Sequence, residues 1–362
     1  MAKRAPRANA SASIQDVADA ASVSIATVSR VLNNPDLVSR DTFDRVHEAI
    51  TRLRYRPNVY ARGLINGTRR VLGFALPDLH GEFYSELLRG ADGEANRLGF
   101  HLLVTSEGRS QPALPPAPGQ GPGTDPTNTP TRPGERTSGF EFGLVGGVAV
   151  MITEPNAALL QESIDLALPV VVIDLEIKHP RVDCILIDNA QGATLATEHL
   201  LQTIPPERLS FAGGPRDNFD TKTRADAFVA ALRARGGEPR PDQLTFGAYS
   251  VEWGQRWISE HASRQAGGLP FGVLAGNDEI ALGILQAAQD LGLRVPQDVR
   301  IVGFDDTRLA SLVRPSLSSV RVPLRDVGAE AIRLLARRIA EPDAAEVVTR
   351  LPASLIVRES SR

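Results

Sequence analysis

The sequence predicts an all-α head at the N-terminus and a larger α/β body built on parallel sheets. The head is predicted from three short segments between residues 13 and 53 in which apolar residues recur at helical spacing. The body is predicted from short, continuously apolar segments that alternate with helical patterns, as buried parallel strands do. A length of 362 residues also exceeds what one small domain needs.

Charge is distributed unevenly between the head and the body. Residues 1–70 contain 12 Lys and Arg against 6 Asp and Glu, and the remaining residues contain 28 against 37. A basic head on an acidic body predicts an anionic partner for the head alone.

Composition excludes several classes of protein. The single cysteine, Cys184, excludes an internal disulfide and a cysteine-cluster metal site. No run of about 18 apolar residues is present, so no segment is expected to span a membrane. The basic start of the chain has no apolar stretch behind it, so we do not interpret it as a secretory signal, and the expected location is cytoplasmic.

The head has the outline of a helix-turn-helix reader of DNA. Its three predicted helices are Ile14–Ala21, Ile25–Leu32 and Arg40–Leu53. Ser13 is placed to cap the first helix with Asp16 in its first turn, and Ser39 is placed to cap the third. The second helix begins with small and polar residues and carries Arg30, a side chain suited to reading guanine in the major groove. The alternative is a small helical bundle with no role on DNA.

The segment from Asp16 to Asn33 closely resembles the DNA-binding region of the lactose-repressor (LacI/GalR) family of bacterial transcriptional regulators. Asp16-Val17-Ala18 and the residues from Val23 to Asn33 match the family pattern almost residue for residue. By position, the resemblance implies base-facing roles for Ile25, Ala26 and Arg30. It implies phosphate-facing or helix-positioning roles for Ser24, Thr27 and Ser29, and it adds Asn33 to the DNA-binding set. Ile25 and Ala26 offer only apolar contacts, so the operator sequence does not follow from them.

Residues 58–65 match the hinge helix of that family, which folds on the operator. The resemblance places Asn58, Arg62 and Leu64 on DNA, with Leu64 as an apolar wedge in the minor groove. Gly63 weakens a helix here by roughly 1 kcal/mol, which fits a segment that becomes ordered only on DNA. The alternative is a plain linker.

In the body, polar residues that directly follow predicted strands are the main candidates for a site. The predicted strands are Val71–Leu76, Leu102–Thr105, Val148–Ile152, Val170–Ile173, Ile185–Ile187, Leu209–Ala212, Gly272–Ala275 and Val299–Phe304. Ligands of such folds bind beyond the carboxyl ends of the strands. The candidates there are Asp78, Asp174, Asp188, Asn189, Asn277, Asp278, Asp305 and Asp306. We interpret Asp188, Asp278 and Asp306 mainly as caps of the following helices.

The family resemblance continues through the body. It is carried by Asp188-Asn189, Arg224 to Phe228, Asn277 to Gly283, Val302 to Asp306 and Leu355 to Ser360. It implies a fold like that of a periplasmic sugar-binding protein, with two doubly wound parallel-sheet lobes and a ligand in the cleft between them. The implied effector-binding residues are Asp78, Phe83, Arg224, Tyr249, Asn277 and Asp305, with Phe83 and Tyr249 as aromatic walls.

The predicted organisation follows from this resemblance. Residues 1–12 form a flexible basic segment, 13–57 the DNA-binding head, and 58–70 the hinge and linker. Lobe 1 is expected to comprise residues 71–189 and 321–342, and lobe 2 to comprise 190–320 and 343–362.

Two features depart from the family pattern. Gly81-Glu82-Phe83-Tyr84 stands where Asn-Pro-Phe-Phe is common. Glu82 either makes the cleft unsuited to the usual neutral sugar or complements the N-terminus of its own helix. Residues 107–134 contain eight of the 26 prolines and no aromatic residue, so we expect a disordered surface insertion that shortens or replaces a helix of lobe 1.

The expected function is that of a homodimeric regulator on a two-fold operator, controlled by a sugar or related metabolite and needing no cofactor or metal. We expect a repressor that the ligand releases; a corepressor-dependent regulator is the alternative. A solute-binding protein would have a signal peptide and no DNA reader. An enzyme is disfavoured because no dinucleotide or phosphate loop, nucleophile elbow or histidine metal spacing is present.

Overall fold

The computed structural model describes residues 12–33, 35–55, 70–106, 144–151, 158–262 and 268–362, without the side chains of Asn33 and Ala158. The chain separates into two compact units, residues 1–68 and 69–362. The predicted hinge helix, 58–65, and the Pro-rich insertion, 107–134, lie outside the described residues. Among those described, no helix has the length and apolar character that crossing a membrane requires.

The described part of the first unit is built around three α-helices, and all three predicted helices are confirmed. They are α1 (Ile14–Ala21), α2 (Ile25–Asn33) and α3 (Arg40–Leu53). Val17, Val28 and Val46, one from each helix, are fully buried in a common apolar cluster. Burial of such a side chain contributes about 1.5–3 kcal/mol relative to exposure. This cluster orients α2 so that its opposite face remains in solvent.

The two predicted helix caps of the head differ in outcome. At α1, Ser13 Oγ accepts from the Asp16 N–H (3.2 Å) and Asp16 Oδ2 accepts from the Ser13 N–H (2.8 Å), so the predicted cap is confirmed as a reciprocal capping box. At α3, Ser39 occupies the N-cap position, but its hydroxyl donates to Thr42 Oγ1 (2.9 Å) and accepts no hydrogen bond from the helix backbone. The prediction that the Ser39 side chain caps this helix was therefore wrong.

Lobe 1 of the second unit is a six-stranded parallel sheet with helices packed on it. Its strands are β1 (Val71–Leu76), β2 (His101–Ser106), β3 (Val148–Met151), β4 (Val170–Ile173), β5 (Val182–Ile187) and β11 (Val348–Leu351), in the order β11-β5-β4-β3-β1-β2. Its helices are α4 (Glu82–Leu98), α5 (Ala158–Asp165) and α11 (Leu324–Ala340). Every residue of β1, β3, β4 and β5 is buried, which is why the sequence shows these strands as continuous apolar runs.

Lobe 2 repeats this architecture with one antiparallel edge strand. Its strands are β6 (Leu209–Gly213), β7 (Leu244–Phe246), β8 (Phe271–Ala275), β9 (Val299–Asp305), β10 (Ser318–Arg321) and β12 (Ser354–Ile356), in the order β12-β10-β9-β8-β6-β7. Only β12 runs antiparallel to its neighbour. The helices are α6 (Asn189–Leu201), α7 (Phe219–Ala234), α8 (Val251–His261), α9 (Asp278–Asp290) and α10 (Arg308–Leu312).

The chain passes between the lobes after β5, after β10, and between β11 and β12. The predicted return to lobe 2 at residue 343 was wrong, because β11 pairs in parallel with β5, with Val348 opposite Cys184. The return therefore falls at residues 352–353. The segment before β11 is held by Asp183, whose Oδ1 accepts from the Val347 N–H (2.8 Å) and pairs with Arg338 Nη2 (2.5 Å).

Close helix packing in lobe 1 depends on two glycines. A Cβ on Gly90 of α4 would lie 2.0 Å from the Arg325 carbonyl oxygen, and one on Gly328 of α11 would lie 2.0 Å from the Leu87 carbonyl oxygen. The two helices approach each other backbone to backbone at these positions. This packing fixes α4, whose N-terminus lies at the mouth of the cleft.

Candidate functional site

In the head, the first turn of α2 presents the predicted DNA-binding face. Ile25, Ala26 and Arg30 are exposed, while Val28 and Val31 on the other side are buried. The Ile25 side chain is 41% exposed, so it is accessible to a partner. The base-facing roles of these three residues remain predictions, and their exposure is consistent with them.

The predicted phosphate-facing residues include the pair of hydroxyls that caps α2. Ser24 Oγ accepts from the Thr27 N–H (3.1 Å), and the hydroxyls of Ser24 and Thr27 lie 2.9 Å apart. Thr27 and Ser29 are half-buried beside this cap. The Asn33 side chain, Asn58, Arg62 and Leu64 lie outside the described residues, so their predicted contacts remain predictions.

In the second unit, two buried carboxylates end strands of opposite lobes. Asp174 follows β4 and Asp305 ends β9, and each is only 6% exposed. Their φ angles are 66° and 105°, a region that residues other than glycine seldom adopt. Asp174 Oδ2 and Asp305 Oδ1 are buried without a hydrogen-bond partner among the residues that the structure describes. Strained backbone and unsatisfied polar atoms together are typical of a binding site.

Arg224 of α7 lies between these carboxylates and is held rigidly. Its Nε donates to Asn189 Oδ1 (2.9 Å), its Nη1 donates to the Gly276 carbonyl (2.5 Å), and its Cζ lies 3.8 Å from the centre of the Phe304 ring. Asn189 in turn donates through Nδ2 to Asp220 Oδ1 (2.9 Å). The guanidinium is therefore a fixed charge in the floor of the cleft.

The electrostatics show that residues of both lobes face one another. Burial raises the pKa of Asp174 and of Asp305, and in both cases the Arg224 guanidinium opposes the rise. Burial also raises the pKa of the Tyr84 phenol in lobe 1, and Asp78, Asp305 and other acidic groups add to the effect. Tyr84 thus remains a neutral hydroxyl directed toward the acidic lining of lobe 2.

The predicted aromatic walls have different surroundings. The Tyr249 hydroxyl lies 2.7 Å from Thr221 Oγ1 and donates to Asn218 Oδ1 (3.3 Å), and burial raises its pKa to about 12. Phe83 packs on the lobe 1 core and meets Tyr84 edge to face, with ring centres 5.1 Å apart. The ligand contacts of Tyr249 and Phe83 remain predictions.

Asp78 and Asn277 also serve the backbone around them. Asp78 is exposed, and its Oδ1 accepts from the N–H groups of Leu79 (2.6 Å) and His80 (3.0 Å). Asn277 caps α9, because its Oδ1 accepts from the Ile280 N–H (3.0 Å). Their roles as ligand contacts remain predictions.

The interpretation of three aspartates as helix caps was right once and wrong twice. Asp188 caps α6 through the Gln191 N–H (3.0 Å). Asp278 instead accepts from the N–H and hydroxyl of Thr307 (2.7 and 2.9 Å) and from Ser319 Oγ (2.6 Å). Asp306 is paired with Arg321 and Arg358, at 2.7 and 2.6 Å. Both aspartates connect separate elements because lobe 2 folds their partners onto them.

Glu82 makes a contact that neither expectation included, and both expectations remain predictions. Its Oε2 accepts from the Leu309 N–H (3.3 Å), so the carboxylate of α4 in lobe 1 meets the first turn of α10 in lobe 2. The preceding Gly81 has φ 92°, and a Cβ there would lie 2.8 Å from Glu279 Oε1 of lobe 2. This corner is a direct contact between the lobes.

Sequence reasoning missed Tyr84 and Asp220 of the cleft, and it named Asp174 and Asn189 only as candidates after strands and not as effector-binding residues. Asp174 and Asn189 were among the polar residues after strands, but nothing in one sequence distinguished them from helix caps. Asp220 stands four residues before Arg224, so the two share a helix face, and that spacing could have found it.

A cavity of about 710 Å³ lies elsewhere, along β7 of lobe 2. Arg216 covers the Phe246 ring there at 4.3 Å, and the lining mixes acidic and basic side chains. No described side chain that lines it has a buried polar atom without a hydrogen-bond partner. The cleft between the lobes is therefore the stronger candidate for a ligand.

A helix-turn-helix head and a two-lobed body with a polar cleft define a DNA-binding regulator with a sensor domain. Comparison with known families agrees with both parts. Residues 13–58 match the bacterial regulatory proteins of the lacI family, and residues 207–361 match the periplasmic binding protein-like domain.

Relatives extend the match over the whole chain. Catabolite control protein A of Priestia megaterium is 30% identical over 349 residues, covering 96% of this chain and 99% of that protein. Catabolite control protein A of Staphylococcus xylosus is 33% identical over 352 residues, with the same coverage. The chain belongs to the LacI family, and it is a DNA-binding transcriptional regulator and not an enzyme.

Solved structures share the fold. The lac repressor dimer bound to operator and the anti-inducer ONPF superposes with a TM-score of 0.76 at 24% identity, covering 97% of this chain and 99% of that one. The complex of the transcriptional regulator CelR with cellobiose has a TM-score of 0.66 at 26% identity, covering 97% and 100%. The predicted fold of a helix-turn-helix domain and two parallel-sheet lobes is confirmed.

Proposed function

We propose that this protein is a homodimeric repressor whose operator affinity falls when a small molecule occupies the cleft between the lobes. The observation that carries the proposal is the convergence of buried polar groups from both lobes. Asp174 belongs to lobe 1, Asp305 and Arg224 belong to lobe 2, and two carboxylate oxygens lack partners among the described groups around them. A regulator that binds the chromosome acts in the cytoplasm, and we propose that location.

Ligand control follows from the position of the cleft. A molecule held by both lobes binds one arrangement of the lobes more tightly than another, and this difference shifts the equilibrium between them. Coupling of about 1–3 kcal/mol corresponds to roughly 5–150-fold in operator affinity. The cellobiose complex of CelR supports a carbohydrate-like effector, for which Asp78, Phe83, Tyr249 and Asn277 complete the proposed lining.

On DNA, we assign base contacts to Ile25, Ala26 and Arg30 and backbone contacts to Ser24, Thr27 and Ser29. The operator-bound lac repressor dimer supports a two-fold site read by two copies of the chain. Leu309 and Leu312 on α10 are 49% and 56% exposed, which is consistent with coverage by a second copy.

The first experiment selects an operator from random duplex DNA and measures its affinity for the full chain with and without candidate sugars. A ligand that weakens operator binding supports a repressor that is released by its effector. A ligand that strengthens operator binding would instead identify the corepressor-dependent regulator. If ligands bind the body and none alters operator affinity, the proposal is wrong.

A further inference from the structure

The polar lining of the cleft is predominantly acidic. Asp174, Asp220 and Asp305 surround the single arginine, Arg224, and all three carboxyl groups interact electrostatically with it. Asp278 and Glu279 add further negative charge near Asp305. A set of three carboxylates and one guanidinium carries net negative charge whenever two or more of the carboxyls are ionised.

The one cation of this set already makes several contacts within the protein. Arg224 already donates from Nε to Asn189 and from Nη1 to the Gly276 carbonyl, and its flat face lies on Phe304. The nearby guanidinium groups of Arg321 and Arg358 are paired with Asp306. His80 lies on the exposed loop at the mouth of the cleft, beside Glu279.

In the cleft, two carboxyl oxygens lack a hydrogen-bond partner among the described residues. Asp174 Oδ2 and Asp305 Oδ1 belong to side chains of residues that are 94% buried, and no donor among the described residues reaches either oxygen. Each carboxylate terminates a strand of a different lobe. A ligand between the lobes could donate to both oxygens at once.

We infer that the cleft selects a ligand that donates hydrogen bonds to carboxylates of both lobes and carries no anionic group. The class is a polyhydroxylated molecule, either uncharged or bearing an amine, and it excludes sugar phosphates and carboxylic acids. Hydroxyl and ammonium groups satisfy the two free oxygens, whereas a phosphate would meet three carboxyl groups that already share one guanidinium. This inference rests on the proposed function, since it names the chemistry of the same cleft.

Proton exchange on binding gives an independent readout. Burial raises the pKa of Asp174, Asp220 and Asp305 in the free protein, so these groups hold protons more readily than exposed carboxyls. A ligand that donates to them favours their ionised form and releases protons to the buffer. An anionic ligand favours their protonated form and takes protons up.

The test is isothermal titration of the full chain with matched panels of neutral, amino and phosphorylated sugars, including glucose, glucosamine, glucose 6-phosphate and cellobiose. We expect binding by neutral or amino members, with phosphorylated counterparts weaker by at least about tenfold. Repeating the titration in buffers of different ionisation enthalpy reports the proton exchange. Tighter binding of an amino member with proton release identifies an amine-bearing effector; tighter binding of the neutral member identifies an uncharged one.

Asp174→Asn and Asp305→Asn are suited to this test because asparagine tolerates a positive φ and keeps the side-chain shape. Each substitution should lower the affinity for the sugar by at least about tenfold. Asp226→Asn at an exposed position on α7 is the matched control and should leave that affinity unchanged. Circular dichroism and thermal unfolding verify that the variants fold.

A phosphorylated or carboxylated member that binds as tightly as its neutral counterpart, or with proton uptake, would overturn the inference. Absence of binding by every neutral and amino member at millimolar concentration would overturn it as well. If a sugar phosphate binds and alters operator affinity, the proposed function stands and the inference fails. If a neutral sugar binds and operator affinity does not change, the inference stands and the proposed function fails.

Discussion

At the scale of single residues, the exposed turn of α2 divides DNA reading between apolar and hydrogen-bonding side chains. Ile25 and Ala26 contribute shape and contact with methyl groups, and Arg30 contributes donors that fit the edge of guanine. Most of the hydrogen-bonded discrimination between operators is therefore expected to come from one residue.

We predict that Arg30→Ala lowers the preference for the selected operator over random DNA by about 1–3 kcal/mol, because a bidentate arginine contact is worth that much. Competition binding against random duplex measures it. Arg52→Ala, which removes another exposed arginine from the same unit, is the control and should lower affinity without changing preference. Unchanged preference in Arg30→Ala would remove Arg30 as a base reader.

Asp278 predicts a specific pH dependence of stability. Burial raises its pKa to about 7, although hydrogen bonds from Ser319 and Thr307 oppose the rise. The folded pKa lies above the ordinary value of 3.8, so the stability that the protonated carboxyl contributes is fully present below about pH 4. That contribution is lost as the pH rises through 7.

We predict that Asp278→Asn gains stability relative to the native chain on going from about pH 5 to about pH 7.5, by an amount on the order of a few kcal/mol. Asparagine keeps an acceptor for Thr307 and cannot ionise. Urea unfolding at the two pH values measures the difference, and Asp188→Asn at a helix cap is the control. An equal effect of Asp278→Asn at both pH values would contradict the assignment.

At the scale of elements, the predicted strands other than the edge strand β2 are those whose residues are almost all buried. Four strands were missed: β7, β10, β11 and β12. β7, β11 and β12 are partly exposed edge strands, and β10 begins with two serines, so none shows an apolar run. Their places depend on tertiary pairing, which a single sequence does not display.

Prediction of the cleft residues from the sequence meets the same limit. Arg224 and Asp305 could be selected by resemblance, and the structure brings them together. The roles of Asp278 and Asp306 could not be predicted, because the partners of their side chains are 15 to 52 residues away along the chain. A polar residue after a strand looks the same whether it caps a helix, joins two elements or faces a ligand.

Attachment of α11 to lobe 1 depends on a buried ion pair. Arg338 makes two hydrogen bonds to Asp183, and both side chains are at most 3% exposed. We predict that Arg338→Ala lowers the free energy of unfolding by about 3–5 kcal/mol, because it removes both charge-assisted hydrogen bonds from a buried carboxylate. Chemical denaturation measures this loss.

Arg333→Ala on the same helix is the control, since Arg333 is 47% exposed and pairs with Glu330 at the surface. Its loss should be at most about 1 kcal/mol. Equal losses for the two variants would show that burial does not increase the contribution of the Arg338–Asp183 pair to the free energy of unfolding.

The contact of Glu82 with α10 predicts opposite shifts in the affinity for the effector and the affinity for the operator. Removing the hydrogen bond to the Leu309 N–H by Glu82→Ala disfavours the lobe arrangement that contains it, by about 0.5–1.5 kcal/mol. In a repressor that its ligand releases from DNA, effector and operator favour different arrangements of the two lobes. The affinity of the variant for one of them should therefore rise while its affinity for the other falls.

Titrations of operator and of effector on the same variant measure both shifts. Glu86→Ala, which breaks a pair with Arg325 within lobe 1, is the control and should leave the ratio of the two affinities unchanged. A fall in both affinities for Glu82→Ala would show that Glu82 only stabilises the fold.

At the scale of the whole molecule, reading of DNA and sensing of a ligand belong to separate compact units of one chain. The head offers an exposed recognition helix, and the body offers a cleft whose unsatisfied acceptors belong to both lobes. Control requires that occupancy of the second unit changes the affinity of the first for DNA. Because such coupling is reciprocal, it can be measured as the effect of the ligand on operator affinity or as the effect of the operator on ligand affinity.

The most direct test is operator affinity of the full chain, measured with and without the sugar that binds most tightly in the titration panel. We predict that the sugar weakens operator binding by roughly 5–150-fold, that operator weakens sugar binding by the same factor, and that Asp305→Asn abolishes both effects. If the sugar occupies the cleft in the native chain and operator affinity is unchanged, the account of this protein as a ligand-controlled repressor is contradicted.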